Sequence, residues 1–101
     1  ASDEILVVGC GNSNIPADLA SEGFARVTGM DYSEAAIRLQ RKRFPKLKWV
    51  HADARHMPSF QNSSFDILIE KALMDGEGQF GQHYDMFREY SRVLRPSGRF
   101  I

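Results

Sequence analysis

Apolar and polar residues along this chain fall into two alternating rhythms. Ile5-Leu6-Val7-Val8 is a continuous apolar run of strand formers bounded by Gly9, the pattern of a strand buried on both faces. Asn12 or Ser13 then offers an N-cap, Pro16 suits a first turn and Gly23 suits an end, which predicts a first helix packed through Leu19 and Ala20. Arg26 to Met30 predicts a second strand that ends at Asp31. Ser33 is a good N-cap and Glu34 favours a first turn by its charge. Ala36, Ile37, Gln40 and Arg41 carry this second helix on, and Phe44-Pro45 stops it. Lys48 to Ala52 predicts a third strand, with Trp49 and Val50 as its body and Asp53 at its end. Met57 to Ser64 reads as a loop, and Phe65 to Ile69 as a fourth strand ending at Glu70. A loop carrying Gly76, Gly78 and Gly81 follows. Tyr84, Phe87, Tyr90, Ser91 and Leu94 then fall near helical spacing, and Pro96 and Gly98 close that helix. Arg99-Phe100-Ile101 predicts the start of a fifth strand.

Strands alternating with helices predict an α/β, Rossmann-like architecture with a mostly parallel sheet. At 101 residues the chain holds one domain at most. Ile67, Leu68 and Ile69 are apolar on both faces, so the fourth strand belongs inside the sheet. An interior strand needs a full-length neighbour on each side, and a bare apolar edge invites aggregation. The sequence therefore reads as a partial domain, residues 1–101, of a longer protein, or as one whose edge associates with another chain.

Charge and composition narrow the partners. Thirteen acidic and thirteen basic residues cancel, which argues against a general nucleic-acid or membrane binder. No apolar run approaches the ~20 residues that cross a bilayer. One cysteine, Cys10, excludes an internal disulfide framework. Ala1 to Glu4 are polar and carry no secretory pattern. His51, His56 and His83 lack metal-ligand spacing, and no metal site is expected. The basic run from Arg38 through Arg41, Lys42, Arg43 and Lys46 to Lys48 reads as a solvated helix end rather than an anion site.

Candidate chemistry gathers at the ends of the strands. Gly9-Cys10-Gly11-Asn12 follows a buried strand directly; glycines there let the backbone turn tightly and approach a ligand, and the next helix aims free N–H groups at the same place. A tight turn with no ligand is the alternative. Asp31 lies about 20 residues on, the distance at which a carboxylate meets ribose hydroxyls in dinucleotide folds; a solvated cap beside Ser33 is its alternative. Tyr32 offers a ring for a flat base, or a lid on the helix. Asp53 can accept from an exocyclic amine while the Ala54 N–H meets a ring nitrogen, or Asp53 merely forms a turn. Glu70 and Lys71 lie at the mouth of the sheet, where a carboxylate can hold a cationic amine or simply pair with Lys71. Cys10 sits beside a helix N-terminus, which lowers a thiol pKa, although packing is its simpler use.

The joint pattern resembles class I S-adenosylmethionine-dependent methyltransferases. The residues that carry the resemblance are VVGCGNS at 7–13, MDYS at 30–33, Asp53-Ala54, FDILIEK at 65–71 and RVLRPSGRFI at 92–101. GCGNS followed by DYS and EK resembles a narrower group, the lysine methyltransferases acting on translation elongation factor 1-alpha and their relatives, one of them mitochondrial and acting on citrate synthase. The resemblance implies a seven-stranded sheet ordered 3-2-1-4-5-7-6, of which this chain holds four strands and the start of the fifth. It implies S-adenosyl-L-methionine as cofactor, held by Gly9, Gly11, Asn12, Asp31, Tyr32, Asp53, Ala54, Glu70 and Lys71. Glu70 and Asp75 are the candidates for guiding an acceptor amine. A protein substrate, such as a translation factor, and a cytoplasmic or mitochondrial setting follow from the narrower group. Ala72-Leu73-Met74-Asp75 departs from that group's Gly-Thr-Leu-Asp, which leaves substrate choice open. Two rivals share part of the pattern: a nicotinamide-dinucleotide oxidoreductase, whose third glycine is replaced here by Asn14, and a non-catalytic interaction module that keeps the fold.

Overall fold

A computed structural model describes residues 2–70 and 80–101, the side chains of 80–83 excepted. Lys71, Asp75 and the Gly76–Gly78 loop lie outside the described residues. Strands β1 (Glu4–Val8), β2 (Arg26–Asp31), β3 (Lys48–His51), β4 (Phe65–Glu70) and β5 (Leu94–Phe100) form one sheet, ordered β3-β2-β1-β4-β5. All four pairings are parallel. Helices α1 (Ile15–Ser21), α2 (Glu34–Arg43) and α3 (Phe80–Val93) lie in the β1–β2, β2–β3 and β4–β5 connections, and residues 52–64 lead from β3 to β4 without a helix.

Alternation along β1 explains the two layers. Ile5 and Val7 join Val27, Ile37 and Trp49 in a core that also takes in Leu19 of α1. Leu6 and Val8 point the other way, to Met30, Leu68 and the α3 residues Met86, Tyr90 and Val93. Both faces of the central strands are thus covered, as parallel sheets require. Gly29 on β2 lies against Trp49: a Cβ there would stand 2.5 Å from the Trp49 ring. The ring is fixed in turn by its indole N–H, which donates to the Phe44 carbonyl at 2.9 Å.

Helix boundaries follow local chemistry. In α2 the Ser33 hydroxyl accepts from the Ala36 N–H, and the helix stops at Phe44 before Pro45. In α1 the N-cap position is Asn14, with no side-chain cap bond, while the Ser13 hydroxyl accepts from the Ile15 N–H. Gly23 leaves that helix with φ of 102°, a left-handed backbone that suits glycine.

The end of the chain corrects one expectation. Pro96 and Gly98 do not close the last helix; α3 ends at Val93 and the strand begins at once. Phe65 pairs with Leu94 and Ile67 with Arg99, so two steps along β4 match five along β5. The surplus residues bulge outward around Pro96, which an edge strand tolerates at such an irregularity. Gly98 lets the bulge close, since a Cβ there would meet the Arg95 carbonyl at 2.9 Å and the Asp66 carbonyl at 3.0 Å.

Candidate functional site

Parallel register brings the candidate residues to one edge. Val8 pairs with Met30 on one side and with Glu70 on the other, and Asp31 pairs with His51. The loop after β1, Asp31, Asp53 and Glu70 therefore all lie at the C-terminal ends of four adjacent strands. Three strand spacings separate the outer two, about 14 Å. The crevice outside the strand ends is where open α/β sheets bind ligands.

The glycine loop turns sharply over this edge. Gly9 and Gly11 have φ of 71° and 50°. The Gly9 and Cys10 N–H groups both donate to the Met30 carbonyl, at 2.9 and 3.0 Å, which ties the loop to β2. A Cβ on Gly11 would find one heavy atom within 4 Å, an Asp31 carboxylate oxygen at 3.9 Å. Space above Gly11 is therefore open to a ligand.

Asp31 is bound into the same loop. Its Oδ2 accepts from the Gly11 N–H at 2.7 Å and its Oδ1 from the Ser33 N–H at 2.8 Å. A carboxylate offers about four acceptor directions, so each oxygen keeps one for a further donor. Two vicinal hydroxyls match that pair, and the residues present fit the ribose of an adenosyl group. Tyr32 is 69% exposed and free to cover a base. Its ring lies 6.4 Å from that of His51.

Asp53 reaches the edge with its carboxylate already engaged. Arg55 contacts both oxygens, with Nε at 3.0 and 3.1 Å and Nη2 at 2.7 Å, and its backbone N–H adds a fourth bond. The Arg55 side chain holds the Asp53 carboxyl below its ordinary value. An amine reaching Asp53 therefore competes with Arg55, a partner the sequence reading did not include. The Ala54 side chain is buried in the core beside Met57.

Glu70 is half-buried, and its carboxylate is engaged. Its Oε2 accepts from the Tyr90 hydroxyl at 2.9 Å, and its backbone N–H donates to the Ile101 carbonyl. Tyr90 is 2% exposed. Burial, then its bond to Glu70, pushes the phenol pKa up, so it stays a donor. Twenty residues separate the pair, and only the aromatic position of Tyr90 on the buried stripe of α3 hinted at contact with the sheet.

Two further side chains at this edge escaped the sequence reading. Gln40 is fully buried, and its amide donates to the carbonyls of Gly11 at 3.1 Å and Ser13 at 2.8 Å. Arg43 donates to the Asn12 carbonyl at 3.2 Å and the Asn14 side chain at 2.7 Å. Thus Asn12, a candidate ligand residue, has an exposed side chain and an anchored carbonyl. The basic run is accordingly more than a solvated helix end: Arg41 also ties the Trp49 carbonyl. The signal for Gln40 was its spacing, three residues after the buried Ile37 on one helix face.

Cys10 is 1% exposed, and burial followed by the nearby Asp31 charge pushes its thiol up to about 11. This is opposite to the activation a helix N-terminus would give. Among the described residues no cluster of side chains could hold a metal ion, and no helix is long and apolar enough to cross a membrane.

Residues 6–101 match the family described as Methyltransferase domain. EEF1A lysine methyltransferase 4 of Bos taurus is 40% identical over 114 residues, covering 98% of this chain and 44% of that protein. The eEF1A lysine and N-terminal methyltransferase of Homo sapiens is 29% identical over 109 residues, covering 98% of this chain and 16% of that protein. The crystal structure of a SAM-dependent methyltransferase from Methanosarcina mazei superposes with a TM-score of 0.86 at 32% identity, over 94% of this chain and 49% of that one. The chain spans less than half the length of each of these proteins. With its glycine turn and strand-end carboxylates on the same sheet order, the chain belongs to the methyltransferase domain family and carries the frame of its S-adenosylmethionine-dependent members.

Proposed function

We propose that this chain is the cofactor-binding part of an S-adenosylmethionine-dependent protein-lysine N-methyltransferase. The observation that carries the reading is Asp31, locked under the glycine loop by the Gly11 and Ser33 N–H groups with one acceptor direction left on each oxygen. Gly9 and Gly11 give the methionine portion of the cofactor a backbone surface without side chains. Asp31 holds the ribose and Tyr32 covers the adenine. Asp53 and the Ala54 N–H read the adenine edge once Arg55 gives up part of its fork.

Bound S-adenosylmethionine supplies an activated methyl group, so the protein needs no covalent intermediate. What remains for the chain is alignment and the exclusion of water. An acceptor lysine must first lose a proton, because its ordinary pKa is ~10.4. Glu70, steadied by the Tyr90 hydroxyl, stands where a carboxylate can orient that amine. The resemblance to the family implies Lys71 beside Glu70 at that mouth, and Asp75 as a second candidate to guide the amine. Substrate class rests on the relatives named for eEF1A. A translation factor as acceptor, and a cytoplasmic place of action, go with that reading.

Calorimetric titration with S-adenosylhomocysteine tests the binding claim. The protein is expected to bind it, and Asp31→Ala to weaken binding about 100-fold, the worth of two bonds to a charged acceptor. A folded protein that gives no heat would overturn the reading. The longer natural protein incubated with tritiated cofactor and elongation factor 1A tests the acceptor: label is expected on lysine, and label confined to another residue type would refute the lysine assignment.

A further inference from the structure

We propose that Gln40 and Arg43 are positioning residues that set the glycine loop in its ligand-receiving shape from behind, an inference that rests on the cofactor reading of this loop. Neither side chain belongs to the strand-end carboxylate set. Both project from α2, whereas Asp31 ends β2 and reaches the same loop through the Gly11 N–H.

The burial of Gln40 is the first observation. A side-chain amide with no exposure costs free energy unless its donors are met. Both amide hydrogens are met, and by successive turns of one loop: the Gly11 carbonyl and the Ser13 carbonyl. Arg43 takes the carbonyl between them, that of Asn12, and also reaches the Asn14 side chain. It lies 3.5 Å from the Gln40 amide oxygen as well. Three consecutive carbonyls are therefore drawn to one helix.

Peptide planarity turns this into a statement about the opposite face. In a trans peptide the C=O of one residue and the N–H of the next point in opposite directions. Fixing the Gly11 carbonyl on α2 turns the Asn12 N–H away from α2, and fixing the Ser13 carbonyl does the same for the Asn14 N–H. The Gly11 N–H is meanwhile held on Asp31 and the Ser13 N–H on the Cys10 carbonyl. The loop is thus fastened from both sides. A glycine-containing loop left loose would have to be ordered by the cofactor at a cost in affinity. Gln40 and Arg43 meet that cost in advance and touch no ligand themselves.

The test compares wild type, Gln40→Met and Arg43→Met. Methionine keeps the bulk of either side chain and removes the donors. Two readouts are needed: S-adenosylhomocysteine affinity by calorimetry, and amide hydrogen exchange at Gly11 and Ser13. Gln40→Met is expected to weaken binding about tenfold and Arg43→Met about threefold, with faster exchange at both amides. The double variant is expected to lose less than the product of the two, because both act on one loop. In the longer protein, the KM for S-adenosylmethionine should rise while kcat changes less than twofold. Wild-type binding with unchanged affinity and exchange in the variants overturns the inference. Faster loop exchange in a protein whose wild type binds no S-adenosylhomocysteine leaves the clamp standing and removes the cofactor reading. If Gln40→Met does not fold, the exposed Arg43→Met decides: unchanged exchange there overturns the clamp.

Discussion

On the β1–β2 side of the sheet, polar side chains reach the backbone of the glycine loop; on the β4–β5 side, they reach the scaffold instead. Gln40, Arg43 and Asp31 all terminate on residues 11–14 or their neighbours. Across the molecule, Arg92 donates to the carbonyls of Met57 and Phe60 and to both oxygens of Glu89, while Glu89 accepts from the Met57 N–H. That network ties the connection before β4 to α3. Near the same edge, Phe87, Phe100 and Ile101 are 48%, 45% and 68% exposed. Phe87 and Phe100 stack edge-to-face at 6.2 Å. The two halves divide the labour. On the β1–β2 half, polar side chains fix the backbone of one loop. The β4–β5 half is braced internally and, among the described residues, keeps Phe87 and Phe100 about half exposed.

The largest expected effect is from Arg92→Met. It strips donors from two carbonyls and leaves the 12%-exposed Glu89 carboxylate unpaired. Because Arg92 is itself 28% exposed, the loss is expected at about 2–3 kcal/mol, below that of a fully buried pair. Chemical denaturation measures it. S-adenosylhomocysteine affinity of the folded variant should stay within threefold of wild type; a larger drop would mean the two halves are not separable.

Gly29→Ala probes the β1–β2 half. With a Cβ 2.5 Å from a ring that is hydrogen-bonded in place, about 2 kcal/mol of overpacking strain is expected in the same unfolding experiment. Next comes Tyr90→Phe, which removes the donor to Glu70. Stability should fall by about 1 kcal/mol and, under the proposed function, methyl transfer about fivefold, with cofactor affinity unchanged. Equal losses in affinity and turnover would dissolve the distinction between the halves.

The smallest effect is a pH dependence. Arg92 holds the Glu89 carboxyl below its ordinary value of 4.5. A carboxyl depressed in the folded state stabilises it fully above the unfolded pKa and loses that contribution as pH falls through the folded one. The stability advantage of wild type over Glu89→Gln is therefore expected to be constant above the ordinary carboxylate pKa and to decline as pH falls below it, with an amplitude under about 1 kcal/mol. An advantage that grew on acidification would contradict the Arg92 pairing.

Much of the frame was legible in the residues themselves. The apolar runs at 5–8 and 65–69 marked strands covered on both faces, and those strands are central. Asp31 announced itself by its distance from Gly9 and its place before a good helix cap. Other features were hidden for physical reasons. Gln40 stands in a stretch of arginine and lysine, and a polar residue there reads as solvated unless the buried face is traced from Ile37. Pro96 and Gly98 are helix-stopping signals by composition, but the pairing of Phe65 with Leu94 decided the boundary earlier. The Asp53–Arg55 fork depends on side-chain direction over two residues. Tyr90 and Glu70 meet only through tertiary packing.

The buried thiol of Cys10 has a consequence for any alkylating ligand brought to this loop. Burial, followed by the nearby Asp31 charge, pushes the thiol up to about 11, so the protonated form dominates at neutral pH. Sulfur in that state is a poor nucleophile, and the adjacent carboxylate keeps it so. Under the proposed function, a sulfonium donor seated against Gly9 and Gly11 would meet a buried, protonated thiol that does not compete for its methyl group.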